Sequence, residues 1–273
     1  MKLDGKRANP APAVRLVKRP AREEVLAYCD EDPIERVFLA DVARRGLGRF
    51  AALRDGNRLT ALCHLGVNVV PSGQGTGAFA TLAARARPRM LIGEERAVDE
   101  LWEAARDELP EVREDRPGQP VYVLEEPPLA GGSGLRPARL SDLDLLVRTA
   151  AAAFLEEVGI DAYERDPALF EWRTRTQIEE RRSWLWEEDG KVLFKAEASA
   201  WTARAVQLQQ VWVEPELRGR GHGKRGLADL CRILLRTTPA VCLFVRPENE
   251  PAIRLYEAVG MRRVGTYRSL IFG

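Results

Sequence analysis

Apolar residues recur at every second position in some stretches of the chain and at every third or fourth in others. These two rhythms divide it into strands and helices. In the first half, AVRLVK reads as a strand. A polar entry from Pro20 to Glu24 leads into an amphipathic stretch around Val25, Leu26 and Tyr28. Ile34, Val37, Phe38 and Val42 fall at helical spacing and predict a helix near 34–46. RFAALRDGNRLTALCHLGVNVVP holds two β-rich runs joined at Asp55-Gly56-Asn57, a good hairpin turn. SGQGTG reads as a flexible loop, and FATLAA and RMLIG as short strands. Residues 94–108 form a helix with Val98, Leu101, Trp102 and Ala105 on one face, and VYVLEE is the last strand of this half.

Pro127-Pro128 and the run Ala130-Gly131-Gly132-Ser133-Gly134 then break the pattern, as a linker would. Beyond it, residues 135–138 read as a strand. Ser141-Asp142 precedes a helix carrying Leu143, Leu146, Val147, Ala150 and Phe154, and another helix spans about 166–180. SWLWEEDGKVLFKAEASAWT is a second hairpin, turning at Asp189-Gly190. AVQLQQVWVEP is a strand ended by Pro215. A helix over 224–236, the buried strand VCLFV, a helix entered at Asn249-Glu250-Pro251 and ended by Gly260, and a closing RVGTYRSLIF complete the chain.

The halves share an order of elements. The expectation is an α+β protein of two tandem domains, each a mixed, mostly antiparallel sheet flanked by helices. The tail 1–12 would be disordered, the first domain would span 13–128, the linker 129–134 and the second domain 135–273. Matching the helix after Gly93 in the first half to the helix after Gly223 in the second, Glu94 and Glu95 would repel an anion there. On that match the first half is a degenerate copy.

Charge adds little. Lys plus Arg is 42 and Asp plus Glu 41, so no bulk field favours nucleic acid or a membrane surface. No run approaches the ~20 apolar residues of a membrane span, and no signal-peptide core opens the chain, which suggests a cytoplasmic protein. Cys29, Cys63, Cys231 and Cys242 are scattered, and only His64 and His222 are present, so no metal site is expected.

Chemistry concentrates in QQVWVEPELRGRGHGKR, residues 209–225. Gly219, Gly221 and Gly223 alternate with Arg220 and His222, between Arg218 and Lys224-Arg225. Glycines let backbone N–H groups face a ligand, and the following helix adds the positive end of its dipole. With five basic side chains, the turn suits a pyrophosphate. It is not a P-loop: Arg218 stands where that motif needs glycine, and Arg225 where it needs Ser or Thr. Gly221, Gly223 and Gly226 meet the dinucleotide fingerprint, with Glu248 downstream, but the strand ends too early and too little chain follows. A surface loop of solvated charges is the bland alternative. Arg218-x-x-Gly221-x-Gly223 also matches the Q/R-x-x-G-x-G/A motif, and Asn249, Ala252, Leu255, Tyr256 and Gly260-Met261 follow in order. On these residues the chain from about Leu135 to Phe272 resembles the GCN5-related N-acetyltransferases (GNAT). More loosely, the whole chain resembles actinobacterial acetyltransferases with an uncharacterised GNAT-like N-terminal domain.

The resemblance implies acetyl-CoA as acetyl donor and a primary amine as acceptor: a small amine, an amino-acid derivative or a protein lysine. It implies transfer in a ternary complex, and a non-catalytic acyl-CoA-binding module is the alternative. Backbone groups from Arg220 to Lys224, with Arg218 and Gly219, would hold the pyrophosphate, and those of Val211, Trp212 and Val213 the pantetheine arm. Asn249 would contact the cofactor or simply cap its helix. Tyr256 would be the general acid or a core tyrosine. Glu197, the one acid in the apolar strand FKAEAS, would be the general base, or half of a Lys195–Glu197 pair on one strand face. Acceptor identity and oligomeric state lie beyond the sequence.

Overall fold

The two hairpin signals each open a sheet. At the first, β2 (Phe50–Asp55) and β3 (Arg58–Leu65) pair as far as Asp55↔Arg58, with Gly56 at φ +56° in the turn. At the second, β8 (Ser183–Glu188) and β9 (Lys191–Trp201) meet at Glu188↔Lys191. There Asp189 and Gly190 both take positive φ, as a tight hairpin with the right twist requires. The computed structural model describes residues 14–159 and 161–273; the tail 1–12 lies outside them.

Around the first hairpin lie β1 (Arg15–Val17), α1 (Arg22–Glu31), α2 (Val37–Arg44), β4 (Asn68–Gly73), α3 (Ala80–Ala86), β5 (Met90–Glu94), α4 (Glu95–Ala105) and β6 (Val112–Leu124). Around the second lie β7 (Arg136–Pro137), α5 (Leu143–Val158), α6 (Ala162–Arg165), α7 (Pro167–Glu179), β10 (Val206–Trp212), α8 (His222–Leu234), β11 (Val241–Phe244), α9 (Glu250–Val259) and β12 (Arg262–Phe272). The protein is α+β, with mostly antiparallel pairing and one parallel pair in each half: β4 with β5, and β10 with β11.

The residues form two compact units, one running up to Gly118 and including Tyr267–Gly273, the other Gln119–Thr266. The division does not fall in the expected linker at 129–134. It falls inside two strands. In the first unit the order is β1-β2-β3-β4-β5-β12, with residues 267–271 of β12 antiparallel to β5. In the second it is β6-β11-β10-β9-β8-β7, with residues 121–124 of β6 antiparallel to β11. Each unit therefore closes its sheet with a strand drawn from the other half of the sequence. Choice of strand partner is a non-local matter that hydrophobic alternation does not encode.

Each unit buries both faces of its sheet. In the first, Phe79, Ala83, Val98 and Leu101 pack on Ala51, Cys63, Val69 and Leu91, while Val25, Tyr28 and Leu39 cover Ala52, Leu62 and Val70. In the second, Leu227, Leu230, Leu234 and Tyr256 pack on Phe194, Ala196, Leu208 and Leu243, while Leu143, Leu146 and Ile178 cover Leu185 and Val192. FATLAA, expected as a strand, is helical. Phe79 and Ala83 are buried four apart, and alanine is the best helix former. Residues 128–134 are not a free tether. Asp229 accepts from the N–H groups of Gly131 and Ser133 at 2.7 Å each, Arg232 donates to the Pro128 carbonyl, and Arg225 donates to those of Gly131 and Gly132. The segment is strapped along α8. Among the described residues no helix is long and apolar enough to cross a membrane.

Candidate functional site

The parallel pair β10–β11 is registered at Val206↔Val241 and Gln207↔Cys242, at the starts of both strands, while β10 runs on to Trp212. Its pairing with β9 shifts between Gln209↔Glu197 and Trp212↔Lys195, and Gln210 in the bulge sits at φ +48°. Nothing local in the sequence marks this bulge, because the residue that takes the left-handed conformation is not a glycine.

After β10 the chain makes a 3₁₀ turn at Pro215–Leu217 and enters α8 through Gly219 (φ +75°) and Gly221 (φ +83°). Gly221 is the residue before the helix, and its carbonyl accepts from Arg225 N–H at 3.1 Å. The amides of the first helical turn thus point outward without intrahelical partners. A Cβ at Gly219 or Gly221 would meet no atom within 4 Å; these glycines are needed for their backbone angles. Gly223 is needed for space, since a Cβ there would lie 3.3 Å from a Leu255 methyl of α9. Gly226, third in the apparent dinucleotide fingerprint, seats α8 on the sheet: a Cβ would fall 2.4 Å from the Phe194 ring.

The five basic side chains part company. Arg218 makes a bidentate pair with Glu156 at 2.7 and 2.6 Å, and its Nε donates to the Val213 carbonyl at 3.0 Å. Trp212 Nε1 also points to Glu156, at 3.3 Å. His222 sets its ring edgewise on Trp186, 5.2 Å between centroids, with Nδ1 buried and unpartnered; Arg225 stacks over the same Trp186 at 4.7 Å. Arg220 and Lys224 remain exposed, with no ion pair among the described residues. The side chains of Arg218, His222 and Arg225 therefore build the turn, while Arg220 and Lys224 extend from it without such partners among the described residues.

Val211 and Val213 are partly buried against the core of the unit. Asn249 caps α9, its side-chain oxygen accepting from Ala252 N–H at 3.2 Å. Tyr256 is buried on α9, 6.0 Å from the Tyr122 ring. Burial, with Glu157 adding to it, pushes its phenol well above the usual tyrosine range. Glu197 accepts from Lys195 Nζ at 2.9 Å on one oxygen and from Gln209 Nε2 at 3.3 Å on the other; Lys195 is wholly buried. Cys29, Cys231 and Cys242 are pushed up to about 12 by burial, and Cys63 is raised by the same cause. Among the described residues no group of His, Cys, Asp and Glu could hold a metal ion.

The first unit has its own counterpart of this turn, but not where the sequence comparison put it. Its parallel pair, Asn68↔Met90 and Val69↔Leu91, is followed by Ser72-x-x-Gly75-x-Gly77, with Gly75 (φ +75°, ψ 23°) entering the helical segment 76–86. The helix opening at Glu95 answers instead to α9. The donors at Gly75 are occupied: Glu100 Oε2 accepts from Gly75 N–H at 2.6 Å and from Thr76 N–H at 3.0 Å.

Residues 145–261 match the acetyltransferase (GNAT) family, and residues 48–146 a domain of unknown function, DUF4081. An acetyltransferase of the GNAT family from Colwellia psychrerythraea has the same fold, with a TM-score of 0.59 at 13% identity over 95% of this chain and 100% of that one. A tandem GNAT protein from the clavulanic acid biosynthesis pathway gives 0.53 at 14% identity, over 96% and 99%. The whole chain thus has the architecture of tandem GNAT-like domains. An uncharacterised protein of Mycobacterium leprae is 41% identical over 59 residues, 22% of this chain and 16% of that protein's length.

Proposed function

We propose that the second unit is an acetyl-CoA-dependent N-acetyltransferase that acetylates a primary amine by direct attack in a ternary complex. The observation that carries this reading is the open turn: left-handed Gly219 and Gly221, outward amides at the start of α8, and the unpaired cations Arg220 and Lys224. Backbone donors, helix dipole and cations together favour a pyrophosphate. Beside the turn, β10 runs past its registered pairing with β11, and an extended pantetheine arm could pair with the backbone of Val211 and Val213. Bound there, acetyl-CoA would supply an activated acetyl thioester.

The chain's own contributions are positional and protic. Gly223 and Leu255 bring α9 against the first turn of α8, and α9 carries Tyr256. Tyr256 stands where the resemblance puts the acid that returns a proton to the departing thiolate; burial keeps its phenol protonated and makes it a weaker donor than a free tyrosine. Both Glu197 oxygens are engaged, by Lys195 and Gln209, which favours the Lys195–Glu197 pair over a general base. The four cysteines are buried as thiols, which supports direct transfer over a covalent acetyl-enzyme. The test is Tyr256→Phe, assayed by thiol release from acetyl-CoA with a panel of primary amines. Unchanged acetyl-CoA affinity with turnover at least tenfold slower is the expected outcome; an unchanged rate removes Tyr256 from the chemistry.

A further inference from the structure

Lys195 lies in the middle of β9 with no exposed surface. An ammonium stripped of water needs partners on every side. It finds Glu197 Oε1 at 2.9 Å and Gln210 Oε1 at 2.7 Å, and Glu197 in turn accepts from Gln209 at 3.3 Å. Both glutamines stand where β10 stops being a regular strand. Three residues of β10 span the interval that two of β9 span, and Gln210 takes φ +48°, which a residue with a Cβ rarely adopts. The two charges of β9 thus grip the bulge from below, and the residues that leave it are Val211, Trp212 and Val213.

We infer that Lys195 is a positioning residue: a buried clamp that holds Gln210 in the bulge and so sets the course of the strand facing the pantetheine arm. Glu197 is then the anchor of the clamp. The consequence for binding rests on the acetyl-CoA reading; the clamp itself does not.

Hydrogen exchange on the ligand-free full chain tests the clamp alone. Lys195→Met, which keeps length and removes charge, speeds exchange of amides 209–213 by tenfold or more and leaves those of α8 unchanged. Gln210→Ala, which removes the acceptor and leaves the Lys195–Glu197 pair intact, does the same and decides the matter should Lys195→Met not fold. Exchange that is unchanged in 209–213, or raised throughout Gln119–Thr266, overturns the clamp. Calorimetry then reads the consequence: in either variant acetyl-CoA affinity falls at least tenfold while ADP, which uses the turn only, stays within twofold. Equal losses for both ligands overturn the positioning role. If the wild-type chain binds neither, the acetyl-CoA reading fails while the exchange result still stands.

Discussion

In the first unit the glycine turn comes seven residues after the first registered pair of the parallel strands, from Asn68 to Gly75; in the second it comes fifteen after, from Val206 to Gly221. Both turns enter a helical segment through a left-handed glycine, at φ +75° and +83°. The shorter connection has no room for a segment like 211–218, the stretch that extends β10 and carries Arg218. A side chain from the unit's own α4 meets the amides that an anion would otherwise meet. Backbone shape is therefore not what separates the two turns. They differ in whether the donors are vacant and whether a strand reaches past them.

The largest effect that could break this contrast is on cofactor stoichiometry. Gly221→Asp forces a residue with a Cβ into φ +83° and brings a carboxylate to the turn. Acetyl-CoA affinity should fall by about 100-fold or more, an energy of about 2.7 kcal/mol, and calorimetry should drop from one site per chain to none. A surviving site would have to be in the first unit, and the contrast would be wrong.

Much of this was legible beforehand. The Arg218-x-x-Gly221-x-Gly223 spacing, the two Asp-Gly hairpins and the Asn249 cap are local signals, and local signals survive in sequence. The bulge at Gln210 left no such mark. Neither did the pairing of 267–271 with β5, nor the withdrawal of Arg218, His222 and Arg225 from the turn, which depends on Glu156 and Trp186 far along the chain. The match between the halves falls on the wrong helix for a related reason: the alanine-rich segment after Gly77 reads as a strand by pattern and is helical. That match assigns the closure of the first copy to Glu94 and Glu95, where Glu100 makes it.

A second measurement sharpens the contrast at the strand ends. Four residues past the first registered pair stand Ser72 in β4 and Gln210 in β10, each in a polar cluster. Ser72 donates to Glu35 Oε2 at 2.9 Å, and Arg36 meets the same oxygen at 3.0 Å. Burial first, and Asp32 after it, raise the Glu35 carboxyl to about 7, against the pull of Arg36 and Ser72. A carboxyl raised on folding contributes most below its unfolded pKa of 4.5, and that contribution is lost as pH climbs through about 7. Glu35→Gln should therefore gain on the wild type by about 3 kcal/mol between pH 4.5 and 8. The readout is exchange from the first unit across that range; parallel profiles would remove Glu35 as the titrating group.

The smallest expected effect addresses the closure itself. Glu100→Ala frees Gly75 and Thr76 N–H, and the loss of two hydrogen bonds to a partly exposed carboxylate should cost the first unit about 1–2 kcal/mol. Exchange at those two amides should rise more than tenfold, with acetyl-CoA affinity of the whole chain unchanged. Glu100→Gln separates charge from shape. Its amide oxygen can still accept, so exchange should lie between the other two proteins, the remaining gap reflecting the extra strength of a charged acceptor. Should Glu100→Ala leave those amides as protected as before, the carboxylate is incidental. The first turn would then be closed by its short connection, through contacts such as the Thr76 hydroxyl on the Ala97 carbonyl at 2.6 Å, and Glu100 would merely lie beside it.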